Sequence, residues 1–227
     1  ANLPVGSGMA LRVNATYEEF DNNRDAFGGH FTGVAPTVLA ELGPATRLTL
    51  GYDYDHDQRV TDRGVPALAG RPIEGYRDTF FGSPAINRSD VEAHIVRLRL
   101  DHEFAEGLTL NLAGQYAHYD KYYANILPAS ATATTVTLSG YDSAATRENW
   151  IGQANLVWKG RTGGTGHTVL AGIEAADQSS AADRRNARFA LAGGGTSTTI
   201  TVPLAQTLTL PAISWSGLAT NSRSKVQ

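Results

Sequence analysis

Ten side chains carry the chemistry that this sequence can offer to a ligand. Arg59, Arg63, Arg71, Tyr76, Arg77, Phe80 and Phe81 fall within one stretch, and Tyr119, Tyr122 and Tyr123 lie together further along. Arginine supplies bidentate hydrogen bonds to oxyanions and cation–π contacts to rings; tyrosine supplies a flat apolar face with a hydroxyl at its tip. Residues 59–88 hold five Arg against Asp62, Glu74 and Asp78, a local charge of +2. This stretch has neither a helical period nor sustained alternation, only Gly, Pro, Arg and aromatic residues, so about thirty residues connect two strands. Loops of that length are uncommon unless functional or disordered, and Phe80 and Phe81 argue against disorder. The expected role is contact with a ligand, against the simpler reading in which Asp62-Arg63-Gly64 only braces the loop.

Other chemistries fare worse. Asp53, Asp55 and Asp57 share one strand face but stand about 7 Å apart in succession, too spread for one compact cation site, and read instead as a solvated wall. The glycine-rich turn from Gly160 to Thr168 lacks the lysine of a phosphate loop and precedes a strand. No His pair at helical spacing and no Gly-x-Ser-x-Gly elbow occurs, so no enzyme, cofactor or metal centre is expected. The tripeptides Asn14-Ala-Thr and Asn87-Arg-Ser are uninformative. With no Cys there is no disulfide framework or thiolate site. A net charge of −3 gives no nucleic-acid signal. No apolar run reaches transmembrane-helix length, and the first residues lack the pattern of an export leader.

The elements that position these residues read as strands. Leu11, Val13, Ala15 and Tyr17 alternate with Arg12, Asn14 and Thr16; a weaker alternation runs over 34–42. Leu48, Leu50, Tyr52 and Tyr54 then oppose Thr49, Gly51, Asp53 and Asp55. The same period of two recurs over 96–104, from Leu108 towards Tyr122, over 149–158 and over 169–175, with an eighth strand beginning near 211. Connections alternate in length: polar at 21–30, tight at 43–45, long at 59–88, tight at 105–107, long at 123–142, short at 160–166, long at 177–211. In an antiparallel meander the long ones therefore share one edge, as in outer-membrane barrels with short periplasmic turns and longer extracellular loops. Trp150 and Trp158 lie on one face, roughly 27 Å apart along a strand, or about 20 Å of bilayer at a tilt of ~40°, close to the spacing of aromatic girdles. The alternative is a self-contained small outer-membrane barrel or a β-sandwich with a structural or adhesion role.

Three segments resemble a known family. Asp62-Arg-Gly-Val-Pro-Ala-Leu-Ala-Gly-Arg-Pro72 followed by Thr79-Phe-Phe-Gly-Ser-Pro84 is similar to the extracellular-loop motif of TonB-dependent ferric-siderophore receptors; Tyr119-Asp-Lys-Tyr-Tyr-Ala-Asn125 and His167-Thr-Val-Leu-Ala-Gly-Ile-Glu174 resemble two further segments of that family. The resemblance implies an all-β antiparallel meander of about seven or eight strands, part of a 22-stranded transmembrane barrel with a plugged lumen, forming an open curved sheet in isolation. It implies residence in the bacterial outer membrane, contact with its lipid, a ferric siderophore as transported ligand, and the TonB complex as partner through a plug region. No plug domain is recognised within 1–227, which reads throughout as barrel and as incompetent for transport by itself.

Overall fold

The alternation of apolar and polar residues produces one long antiparallel sheet. The computed structural model describes residues 2–206 and 210–226. Its strands are β1 (Asn2–Gly6), β2 (Met9–Asp21), β3 (Gly28–Gly43), β4 (Thr46–Arg59), the short β5 (Ala67–Leu68) and β6 (Arg71–Pro72), β7 (Arg88–Ala105), β8 (Leu108–Ala131), β9 (Thr135–Thr162), β10 (Thr165–Ala190), the short β11 (Thr196–Ser197), β12 (Thr199–Pro203) and β13 (Ile213–Val226). The main sheet runs β1-β2-β3-β4-β7-β8-β9-β10, with β13 and β11 on β10 and β12 on the upper part of β9; β5 and β6 form a separate two-stranded ribbon. Among the described residues β1 does not pair with β13, and the second sheet is only the short β5–β6 ribbon, which touches β8. The sheet is therefore open, neither a closed small barrel nor a sandwich.

The two ends of the meander differ as expected. At one end β1–β2, β3–β4, β7–β8 and β9–β10 join through two-residue turns; at the other, connections span 22–27, 60–87, 132–134 and 191–212. Gly107 shows why one short turn needs glycine. It sits at φ +79, and a Cβ there would run into the Lys159 carbonyl, which accepts no side chain.

Because side chains in a strand alternate between faces, the register decides what each face looks like. One cross-strand row reads Leu11, Val38, Leu50, Leu98, Gly114, Gly152 and Ala175. Above it stand Tyr52, Val96, Tyr116 and Trp150, and at the short-turn end Trp158 lies opposite Leu108 and Val169. This face is bare: Ile173 is 78% exposed, Trp150 58% and Phe104 57%. The opposite face carries Arg97 paired with Asp53, and Arg99 paired with Asp101. A sheet that exposes its apolar face and pairs charges on the other has the polarity of a membrane-barrel wall.

Two of the three long loops differ from expectation. Residues 123–131 and 135–142 continue β8 and β9 as a paired hairpin closed at 132–134, and β10 continues through Ala190 before the chain turns. Three residues of the 177–211 stretch, 207–209, lie outside the described residues. The reason is physical. Low-complexity Thr, Ala and Ser residues and a mixture of charges mask the alternation in these segments, although one face is buried and the backbone ladder persists. The hydrophobic core sits there: Phe81, Ile126, Val136, Leu138, Ala187, Phe189, Val202 and Leu204 are buried against one another, with Val65, Tyr76, Ile86 and Trp215 at the margin. Gly140 lies in its floor, where a Cβ would strike Ile126 and Ala187. Only the 59–88 stretch is a loop in full, interrupted by the β5–β6 ribbon.

Candidate functional site

The long loop is pinned at both ends. Asp62 forms an ion pair with Arg24 of the β2–β3 connection and also accepts a hydrogen bond from the Gly64 N–H, 2.8 Å. Arg24 in turn donates to the carbonyls of Arg77 and Thr79 at 2.6 and 2.9 Å. At the far end the buried Asn87 amide replaces a strand partner: Oδ1 accepts from the N–H of Ser83 and Ile126, and Nδ2 donates to the carbonyls of Thr61 and Ile126. Asp62 is thus a brace, and the loop is held over the tops of β8 and β9.

Phe80 and Phe81 are 1% and 2% exposed, with Phe81 in the core and Tyr76 tilted against it, ring centroids 6.2 Å apart. Packing, rather than display to a ligand, is what this conformation gives them. Arg71 and Arg77 are exposed on the loop surface. Arg59 pairs with Asp57 and stacks on Phe20, and its guanidinium is held above its ordinary pKa mainly by the hydrogen bond to Asp57. Asp53 and Asp57 are each committed to an arginine, so the three aspartates of β4 do not converge on a cation. Among the described residues no group of three His, Asp or Glu is placed to hold a metal ion.

Strand alternation separates the three tyrosines. Tyr119 and Tyr123 stand on the polar face, while Tyr122 stands on the other. There Tyr122 donates to Asp142 at 3.2 Å, and Asp142, 2% exposed, also receives the Arg185 guanidinium. Burial, then the neighbouring carboxylate, pushes the Tyr122 phenol up; the hydrogen bond to Asp142 holds Arg185 charged beyond its usual range. Arg88 lies over the Tyr122 ring and Arg185 over Trp215. That network is a structural joint between β8, β9 and β10.

The polar face holds a different assembly. The Arg184 guanidinium lies 3.8 Å over the Tyr141 ring, Tyr141 meets Tyr123 edge-on at 5.8 Å, and the Lys121 ammonium lies 5.2 Å over Tyr123. Arg63 comes down from the loop to donate to Asn125 Oδ1 at 3.1 Å and to the Tyr141 hydroxyl at 3.5 Å. Below them Tyr119 is opposite Arg147, which donates to Ser180. Of the residues expected from the sequence, Arg63, Tyr119 and Tyr123 therefore share this face with the assembly; Arg59 stands on the same face, in one cross-strand row with Ser89 and Tyr123, but is paired with Asp57, and Arg71, Tyr76, Arg77, Phe80, Phe81 and Tyr122 lie elsewhere. Sequence reasoning missed Lys121, Tyr141, Arg147 and Arg184. Tyr141 and Arg184 fall in segments read as loops, where no face can be assigned; once β9 and β10 are known to continue, the period of two places both. Cation–π contacts and phenol hydroxyls at the mouth of a polar surface suit an anionic ligand with aromatic groups.

No family model matches the chain. It is 25% identical over 190 residues to the probable TonB-dependent siderophore receptor PiuA of Acinetobacter baumannii, covering 78% of this chain and 26% of that protein. It is 26% identical over 201 residues to the catecholate siderophore receptor Fiu of Escherichia coli K12, covering 76% and 26%, and 27% identical over 168 residues to the metal-pseudopaline receptor CntO of Pseudomonas aeruginosa, covering 73% and 24%. The chain spans about a quarter of the length of these relatives. Among solved structures, that of PiuA superposes with a TM-score of 0.76 at 22% identity over 95% of this chain and 34% of that one. The pyoverdine outer membrane receptor FpvA of P. aeruginosa PAO1 superposes at 0.80 with 14% identity over 98% and 33%. These relatives are transport receptors, and the fold of this chain is that of a segment of their β-barrel.

Proposed function

We propose that this chain is a segment of an outer-membrane receptor for TonB-dependent uptake of ferric-siderophore complexes. The observation that carries the reading is a pairing of faces. The Arg–Tyr assembly around Tyr141 stands on the polar, lumen-side face of a sheet whose opposite face is an apolar band bounded by aromatic residues. Trp150 and Trp158 bound that band eight residues apart on β9, about 20 Å of bilayer depth at the tilt usual for barrel strands. The short turns then lie in the periplasm, and the loop 59–88 and the β8–β9 hairpin lie outside the cell, where a chelate arrives. Residues 1–227 all belong to the barrel in this reading. Coupling to TonB runs through the plug region that such barrels enclose, lipid contacts the apolar band, and the chain carries no catalytic step.

The test uses the whole receptor that contains this chain, expressed in a Gram-negative strain lacking its own siderophore receptors. Growth on ferric siderophores under iron limitation, lost when TonB is deleted and lost when residues 61–87 are replaced by a short Gly-Ser linker, is the expected result. Iron-dependent growth that is indifferent to the receptor, across catecholate, hydroxamate and carboxylate chelates, would sink the proposal.

A further inference from the structure

Charge on the outward, apolar-band face lies on one side of that band alone. Below the row Tyr52, Val96, Tyr116 and Trp150, the outward positions of β1–β4 and β7–β10 hold no Asp, Glu, Lys or Arg among the described residues down to the short turns. Above it the next cross-strand row reads Tyr54, His94, His118, Glu148, Ser179 and Lys225, and the one after it His56, Glu92, Asp120, Thr146, Ala181 and Arg223. A third carries Asp90, Asp183 and Asn221. At ~3.4 Å per residue and a tilt of ~40°, the three rows stand about 5, 10 and 15 Å above the aromatic row. The polar zone on each side of a bilayer is roughly 5–8 Å deep. The charged strip therefore reaches beyond the depth of a phospholipid headgroup.

Where β8, β9, β10 and β13 lie side by side, these rows enclose a groove of about 560 Å³. The register explains its shape. Ser179 stands between Glu148 and Lys225, and Thr146 and Ala181 stand between Asp120 and Arg223, so small side chains form a floor between long ones. One wall is acidic: His118 sits between Asp120 at 3.0 Å and Glu148 at 3.4 Å. The other is basic: Lys225 is held by Asp177 at 3.0 Å beside the aromatic row, and Arg223 makes no ion pair among the described residues. Two cations thus face carboxylates across a floor that carries hydroxyl groups.

From these features we propose that this groove seats the phosphorylated sugar headgroup of an outer-leaflet glycolipid, on the opposite face of the sheet from the Arg–Tyr assembly. The inference rests on the membrane orientation given above, in which the long loops lie outside the cell. Phosphate oxygens accept from Arg223 and Lys225, which are charge-assisted donors, while sugar hydroxyls donate to Glu148 and exchange hydrogen bonds with Ser179 and Thr146. The acyl chains then run down over the apolar band past Trp150. A phospholipid offers a phosphate to the basic wall but no stack of hydroxyls for the floor and the acidic wall, and its headgroup ends below the second row.

The experiment titrates the purified whole receptor in detergent and reads bound lipid by native mass spectrometry. Its three probes are a lipopolysaccharide trimmed to its inner core with its phosphates present, the same molecule after removal of the phosphates, and phosphatidylglycerol. Tighter binding of the phosphorylated glycolipid than of either other probe, by roughly tenfold or more, is expected, weakening as ionic strength rises. Arg223→Gln, which breaks no ion pair, weakens it by about tenfold, as for loss of one charge-assisted contact, and Arg223→Gln/Lys225→Gln by more. Lys159→Gln/Arg161→Gln, which removes two cations from the polar face at the short-turn end, leaves it unchanged; heat-dependent gel mobility confirms that each variant is folded. Equal binding of phosphatidylglycerol, or wild-type binding of the glycolipid by the folded Arg223→Gln variant, overturns the inference, while growth on ferric siderophores through the same receptor still supports the function. A receptor that neither folds into lipid vesicles nor imports a chelate overturns both.

Discussion

Arg24 and Asp62, 38 positions apart in the chain, form a largely buried ion pair that ties the β2–β3 connection to the start of the long loop. Arg24 then reaches the carbonyls of Arg77 and Thr79 near the loop's other end, so one guanidinium closes about fifteen residues of irregular chain. An Asp-Arg-Gly motif that looks like a ligand contact is in part a latch.

Removing the latch should loosen the loop without touching the barrel. Asp62→Ala leaves Arg24 buried and unpaired, a loss of about 3 kcal/mol for a pair this sheltered. Limited proteolysis of the receptor should then cut within 63–80 at least tenfold faster, whereas Arg71→Ala, on the exposed ribbon, should leave the rate unchanged. Equal protection of Asp62→Ala and wild type would exclude the bracing role.

Asn87 makes four hydrogen bonds from a side chain 1% exposed. Asn87→Ala strands backbone groups of Ser83, Thr61 and Ile126, and should cost roughly 3 kcal/mol locally. Hydrogen exchange is the measurement: the Ile126 and Ser83 amides should lose protection while amides of β7 at 96–100 keep theirs.

Phe81→Ala opens the extramembrane core where Ile126, Leu138 and Phe189 meet, at a cost of about 3–5 kcal/mol. Local unfolding of the β8–β9 hairpin top and loss of chelate binding should go together. A variant that binds normally and resists protease would show that the core does not hold the mouth in place.

Charge on the bare face should be poorly tolerated. Ile173→Lys places an ammonium on a side chain 78% exposed in the apolar band, and in a bilayer this costs roughly 2–4 kcal/mol near the midplane. Gln153→Lys, its cross-strand neighbourhood shared but its side chain on the polar face, should cost little. Folding yield of the receptor into lipid vesicles, read by heat-dependent gel mobility, separates the two; equal yields would mean that this face does not meet lipid.

Much of this was legible from local chemistry. Alternation along Leu48 to Asp55 or Leu108 to Tyr116 is a property of adjacent residues, and it fixes strand type and the polarity of the two faces before any pairing is known. The lengths of the connections fix which turns share an edge. Strand pairing, by contrast, joins residues tens of positions apart, and a weak alternation of Thr, Ala and Ser does not report it. That is why 123–142 and 177–190 read as loops although their backbone ladders continue. It is also why Tyr122 was grouped with Tyr119 and Tyr123 although one step along a strand turns it to the opposite face, onto Asp142. Tertiary structure alone brought Arg184 over Tyr141, gave Asp62 its partner in Arg24 and buried Phe80 and Phe81, because register and loop packing decide contacts that composition and spacing leave open.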